Sequence, residues 1–218
     1  MNKKRTTIKF EGIKILTLGN SKVGKTSFIY RYTDNLFQFN YVSTQGNDYL
    51  TKIVELPNGK KYSVNFFDTA GQERFRAMSF NLIKKCDGIL LIYDITDKES
   101  FESIPQWMEN IQDNKGLDYP IILCGNKIDL ENERVISKKE GEELAQKFGI
   151  TFFETSNKDG KNVEKAAFEL INQIIKMREN KIKDILKDFE VIEKDSFLLD
   201  IKEISKLEKT QVKRKKKC

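Results

Sequence analysis

The chain has 218 residues and a net charge of +6, from 39 Lys and Arg against 33 Asp and Glu. At roughly 150 residues per domain this is one compact domain with an appendage, and 39% apolar residues, with 15 Phe and 7 Tyr among them, exclude wholesale disorder. No apolar run approaches the about 18 residues of a membrane span, Met1–Arg5 leads into no signal segment, and the absence of His excludes His-based triads and His-ligated metals. Cys86, Cys124 and Cys218 are widely spaced, with no disulfide or zinc pattern, which fits a reducing compartment.

In chain order, Ile13–Leu18 reads as a buried strand and Lys25–Tyr32 as a helix. Tyr49–Leu56 and Lys61–Phe67 flank Pro57-Asn58-Gly59-Lys60, whose Asn-Gly predicts a tight hairpin. Strand Gly88–Tyr93 precedes a helix over Ser100–Asn114, then strand Pro120–Cys124, a helix over Ser137–Phe148, a strand at Thr151–Thr155 and a helix over Asn162–Met177. Ser137-Lys138-Lys139-Glu140 has the spacing of a capping box. Strand–helix alternation with one hairpin predicts a doubly wound, six-stranded, mostly parallel α/β sheet with an antiparallel edge and helices on both faces. Residues 1–10 read as an extension, 11–177 as the domain and 178–218 as a tail. In the tail, Ile182, Ile185, Leu186 and Phe189 recur at helical spacing, so that it extends the last helix, docks on the domain, or forms a mobile or partner-ordered segment. Basic residues crowd the two ends, Lys3–Arg5 and Lys213–Lys217, and no basic stripe interleaved with aromatics predicts nucleic acid.

Gly19-Asn20-Ser21-Lys22-Val23-Gly24-Lys25-Thr26 matches G-x-x-x-x-G-K-[ST] between a strand and a helix, with Ser27 just after it. Glycines let backbone amides turn inward around phosphate oxygens, and the helix N-terminus adds its dipole. Lys25 then reaches the β- and γ-phosphates and the Thr26 hydroxyl ligates Mg²⁺. The motif alone specifies a nucleoside triphosphate. Asn126-Lys127-Ile128-Asp129 follows a strand at the edge where open sheets bind ligands. A carboxylate at Asp129 accepts both N1–H and the N2 amine of guanine, a pair of donors adenine lacks, while the Lys127 stem covers the ring face. Ser156-Asn157-Lys158 leaves the sixth strand and offers backbone donors to the guanine carbonyl.

These motifs, with Asp68-Thr69-Ala70-Gly71-Gln72-Glu73 and Thr155-Ser156-Asn157-Lys158, occur in the order and spacing of Ras-like small GTPases, from about Ile13 to Met177. The resemblance implies a P-loop GTPase domain that binds GTP or GDP with Mg²⁺. It implies that Asp68 holds Mg²⁺ through water, that Gly71 approaches the γ-phosphate and that Gln72 orients the attacking water. Thr44 matches the threonine that ligates Mg²⁺ in the triphosphate state. Phe37 matches the aromatic that edges the guanine, with a core role as the competing reading. Segments 36–48 and 70–84 then form the switch, and hydrolysis is slow until a partner supplies an arginine, which raises the rate by roughly 10³–10⁵-fold.

Within that group, Phe67–Arg76, Leu91–Thr96, Glu99-Ser100-Phe101 and Trp107 resemble Rab proteins. There is no Gly at position 2, no Rho-type insert between Asp129 and Ser137, and no C-a-a-X box at Cys218. The run Gln45-Gly46-Asn47-Asp48-Tyr49, Phe67 in place of the customary Trp, and Leu82–Cys86 depart from the Rab pattern on regulator-facing surfaces. Lys22 is unusual in the phosphate loop, reading either as added attraction for phosphate or as a solvated side chain, and Asn157 stands where Ala is customary. The resemblance implies a vesicle-traffic switch, monomeric, prenylated at Cys218 and seated on the cytosolic face of an endomembrane. Its partners are an exchange factor, a GTPase-activating protein, a GDP-dissociation inhibitor or escort protein, and effectors. An unmodified solvated tail, a Ras-like signalling protein and a GTP-locked scaffold with little hydrolysis are the alternatives.

Overall fold

The computed structural model describes residues 10–37, 49–68, 82–116 and 119–186. The chain divides into two units, Met1–Ile174 and Ile175–Cys218. In the first, the strands are β1 (Glu11–Leu18), β2 (Tyr49–Glu55), β3 (Lys61–Phe67), β4 (Gly88–Asp94), β5 (Ile121–Asn126) and β6 (Thr151–Thr155), in the spatial order β2-β3-β1-β4-β5-β6. Only the β2–β3 pair is antiparallel. The expected six-stranded sheet with one antiparallel edge strand is therefore the fold. Of the second unit, residues 175–186 are described and helical, with Ile182, Ile185 and Leu186 exposed. Helical structure runs nine residues past the expected end at Met177, as the apolar spacing of the tail allowed.

Burial follows the sequence pattern. Every residue of β4 and β5 is buried, because a strand inside a parallel sheet has both faces covered. β2, at the edge, alternates between exposed and half-buried. Helix α1 (Lys25–Asp34) buries Phe28, Ile29 and Tyr32, and the Tyr32 ring lies 5.1 Å from Phe66. On the main apolar cluster, Leu16, Leu91, Tyr93 and Leu123 of the strands meet Trp107, Met108 and Ile111, each burial contributing about 1.5–3 kcal/mol. Gly88 is needed for close packing, since a Cβ there would sit 2.6 Å from Ile174 Cδ1.

Local chemistry corrects one expectation and details another. The helix expected over Ser100–Asn114 is two helices, α2 (Lys98–Glu102) and α3 (Ile104–Lys115), meeting at Ser103. Pro105 has no N–H to give and its ring opposes the carbonyl four residues back, so it belongs in a first turn and ends what precedes it. Asp97 caps α2 by accepting the Glu99 N–H. At the hairpin, Asn58 does not take the left-handed conformation that a two-residue Asn-Gly turn requires; only Gly59 does, at φ +76°. Its N–H donates to the Leu56 carbonyl, and the Leu56 N–H donates to the Lys60 carbonyl. Pro57 at the first corner fixes this three-residue loop with its bulge.

Strand β5 runs to Asn126 rather than stopping at Cys124, because its pairing with β6 continues through Asn126 and Thr155. Helix α4 (Lys138–Phe148) begins with the expected capping box: Ser137 accepts the Glu140 N–H while Glu140 accepts the Ser137 N–H. Cys86 and Cys124 are buried free thiols, and burial pushes both pKa values up, which keeps them protonated and unreactive.

Candidate functional site: a phosphate loop braced by two strand ends

β1 lies where the strand order reverses, with β3 on one side and β4 on the other. Such a reversal opens a crevice at the carboxyl ends of the strands, and the loop 19–24 between β1 and α1 fills its floor. The loop turns through three left-handed residues, Gly19 at φ +135°, Lys22 at +64° and Gly24 at +102°. Glycine is required at two of these positions. A Cβ on Gly19 would lie 2.1 Å from the Ile92 carbonyl oxygen, and one on Gly24 would lie 2.4 Å from Asn126 Nδ2. Lys22 is the exception, a side chain carried on a backbone shape that costs an L-residue about 1–2 kcal/mol.

Lys25 is 5% exposed. Its ammonium donates to the carbonyls of Gly19 at 3.0 Å and Asn20 at 2.7 Å. Burial lowers its pKa to about 8, against the opposing pull of the Asp68 carboxylate. A dehydrated cation wrapped in loop backbone is a strong anion site, since attraction rises as the local dielectric falls. Asn20 is itself held from behind: its side-chain oxygen accepts from Ser103 Oγ at 2.9 Å and Trp107 Nε1 at 3.1 Å.

Next to Lys25, the Thr26 hydroxyl donates to Asp68 Oδ2 at 2.5 Å. Hydroxyl and carboxylate oxygens are the hard donors Mg²⁺ prefers, and this ion takes few protein ligands because phosphate and water complete its octahedron. Among the described residues no cluster of three or more acidic or cysteine side chains gathers into a self-sufficient metal site. The donor set therefore fits a Mg²⁺ that arrives with phosphate.

The base-reading motifs lie on the ends of β5 and β6 and bond directly to the phosphate loop. Asn126 is 1% exposed. Its amide donates to the Val23 carbonyl at 2.8 Å, and its oxygen accepts from Thr155 Oγ1 at 3.2 Å. The Asn126 side chain thus joins β5, β6 and the loop. Asn157 adds a second tie, Nδ2 donating to the Gly24 carbonyl at 2.9 Å, while its own buried Oδ1 has no hydrogen-bond partner among the described residues.

Half-buried Asp129 accepts from Ser156 Oγ through Oδ1 at 2.7 Å. The Ser156 oxygen in turn accepts the Asp159 N–H at 3.0 Å. These two bonds fix the orientation of the Asp129 carboxylate through Ser156. The Lys127 ammonium is paired with Asp94 Oδ2 at 2.5 Å, which pins its stem over the same crevice. Phe37 is half-buried with the Arg31 guanidinium 6.0 Å from its ring centroid.

The structure therefore brings together Gly19–Ser27, Asp68, Asn126, Lys127, Asp129 and Ser156–Lys158. Thr44, Gly71, Gln72 and Cys218 lie outside the described residues. Asp94, Trp107 and Arg31 were missed as supporting residues. Asp94 had one legible signal, an acid at the carboxyl end of a fully apolar strand, while Trp107 and Arg31 act across the fold and leave no local pattern.

A loop cradle for polyphosphate, hard oxygen donors beside it and an oriented carboxylate at the far end define a nucleotide-hydrolysing protein of the P-loop type. A sequence model of the Ras family matches residues 14–176. The chain is 43% identical over 162 residues to the Ras-related protein Rab-10 of Diplobatis ommata, covering 74% of this chain and 80% of that protein. It is 43% identical over 177 residues to human Rab-27B, covering 77% and 81%, and 40% identical over 171 residues to Rab-8B of Pongo abelii, covering 78% and 82%. The chain belongs to the Ras family and is a small GTPase similar to Rab proteins.

The loop geometry is testable at one atom. Gly24→Ala forces a Cβ onto Asn126 and Asn157 at a left-handed φ, and is expected to weaken nucleotide binding by about tenfold or more. Gly12→Ala, where nothing lies within 4 Å of the added carbon, is the control. Equal affinities for the two variants in a nucleotide titration would contradict this account of the brace.

Proposed function

We propose that this GTPase binds GTP and GDP with Mg²⁺ in the crevice above β1 and acts as a Rab-like switch at a membrane surface. The observation that carries the reading is the Ser156–Asp129 relay, which aims a carboxylate beside a loop already committed to phosphate. Guanine presents two adjacent donors to a carboxylate and adenine lacks that pair, so an adenine nucleotide would leave the carboxylate of half-buried Asp129 incompletely paired beyond its bond from Ser156, at a cost of about 1–3 kcal/mol.

In this reading Lys25 leaves its two loop carbonyls and meets the β- and γ-phosphate oxygens, where charge accumulates during transfer. Thr26 and Asp68, with Thr44, would hold Mg²⁺, which when bound would supply positive charge to the phosphates. Gln72 orients the attacking water, and Gly71 gives its N–H to the γ-phosphate. Positioning and charge do most of the work, so hydrolysis without a partner is slow. Segments 36–48 and 70–84 read the presence of the third phosphate. An exchange factor, an activating protein, a GDP-dissociation inhibitor or escort protein, and effectors are the partner classes, with Phe67 and Leu82–Cys86 making their recognition particular to this chain.

Among the described residues no helix is long and apolar enough to cross a membrane. The membrane reading rests on the terminal sequence. A single prenyl chain on Cys218 anchors weakly, and Lys213–Lys217 supply the second signal on an anionic leaflet at about 1 kcal/mol per basic residue.

Two measurements check these claims. In competition binding, GDP should displace bound guanine nucleotide while ATP does not. Asp129→Asn, whose amide donates to the C2 carbonyl of xanthine, should exchange guanine preference for xanthine preference; retained guanine preference would overturn the role of Asp129. In cells fed a labelled isoprenoid precursor, Cys218→Ser should carry no label, and labelling equal to wild type would remove prenylation from the account.

A further inference from the structure

Arg31 sits in the last turn of α1, outside every nucleotide motif of the chain. A basic residue there has an ordinary role, facing the helix C-terminus, and one of its contacts is of that kind: Nη1 donates to the carbonyl and side-chain oxygens of Asn35, at 3.1 and 2.9 Å. The remaining contacts reach across more than a hundred residues. Nε donates to the Asn157 carbonyl at 2.6 Å and Nη2 to the Lys158 carbonyl at 2.6 Å. The cationic carbon lies 6.0 Å from the centroid of the Phe37 ring, within range of a cation–π contact.

The two carbonyls gripped by Arg31 belong to the loop whose backbone donors face the base. Asn35 and Phe37 are the last described residues before segment 38–48. One planar fork thus spans the base-reading loop and the root of the switch segment. Asn157 is tied on its other side to Gly24 through its carboxamide, so the loop is stretched between the phosphate loop and Arg31. Adjacent peptide carbonyls held at 2.6 Å match a guanidinium, with its fixed divergent donors, and not an ammonium.

We propose that Arg31 is the positioning residue for nucleotide retention. Its guanidinium fixes loop 156–158 and the Phe37 ring in register with each other, so that the base carbonyl finds its donors already placed. This rests on the guanine reading above and adds a determinant to it. Loosening the clamp costs the contact with the base carbonyl at C6 more than any contact with phosphate.

The test uses the full chain loaded with a fluorescent GDP analogue, with dissociation followed by stopped flow. Arg31→Ala is expected to release nucleotide about 10- to 100-fold faster than wild type. Arg31→Lys keeps the charge and loses the fork; it is expected to fall closer to the alanine variant than to wild type, and it carries the test if the alanine variant does not fold. The discriminating readout is base selectivity: the preference for GDP over the diphosphate of 2,6-diaminopurine riboside, which has an amine where guanine has its carbonyl, should narrow in both variants. Dissociation within about twofold of wild type, full rescue by lysine, or unchanged selectivity despite faster release would each overturn the clamp. Failure of wild type to prefer GDP over ADP would instead overturn the guanine reading, which separates the two claims.

Discussion

The side chain of Asn126 holds the site together. It is buried at the end of β5, gives its amide to the phosphate loop at Val23 and takes a hydroxyl from Thr155 at the end of β6. A carboxamide can do this because it donates and accepts from opposite sides of one plane. The price of leaving it unpaired in a dry interior is about 1–3 kcal/mol, so the loop, β5 and β6 are fixed relative to one another. The loop 19–24 and the segments after β5 and β6 are thereby parts of one hydrogen-bonded body. Selectivity for the base can then act on how tightly the phosphates are held.

Around that body the chain places groups poised for an anion. Lys25 is stripped of water and satisfied by loop carbonyls that it can exchange for phosphate oxygens. Asn20, whose carbonyl is one of them, is steadied by Ser103 and Trp107 at the start of α3. The left-handed turn at Lys22 shows that this chain tolerates local backbone cost in the loop, the kind of strain that gathers at functional sites. Asn157, whose buried oxygen has no partner among the described residues, is a second departure held in place by the ties around it.

Much of this was legible because its causes are local. Alternating apolar strands and amphipathic helices announced the sheet and its antiparallel edge, and the Ser137–Glu140 box marked the start of α4 to the residue. The phosphate loop was readable since it needs glycines at fixed spacing. The break at Ser103 had a signal, Pro105, but the apolar periodicity running across it pointed to one helix. The hairpin was legible in Asn58-Gly59, while its exact turn also depends on Pro57. What could not be read were pairings between distant residues. The ties of Asn126 to Val23 and Thr155 are of this kind, because sequence shows what a side chain can bond, not which neighbours the fold delivers. Ser156 with Asp129, Lys127 with Asp94 and Arg31 with its carbonyls are likewise products of the sheet order.

The claim that phosphate loop and base loops form one body predicts that damage at its joint spreads to both. Hydrogen exchange on the GDP-bound protein, comparing wild type with Asn126→Ala, measures this directly. Amides of residues 19–25 and of residues 155–158 should both exchange faster in the variant. Acceleration confined to residues 124–127, with both loops as protected as in wild type, would contradict the account.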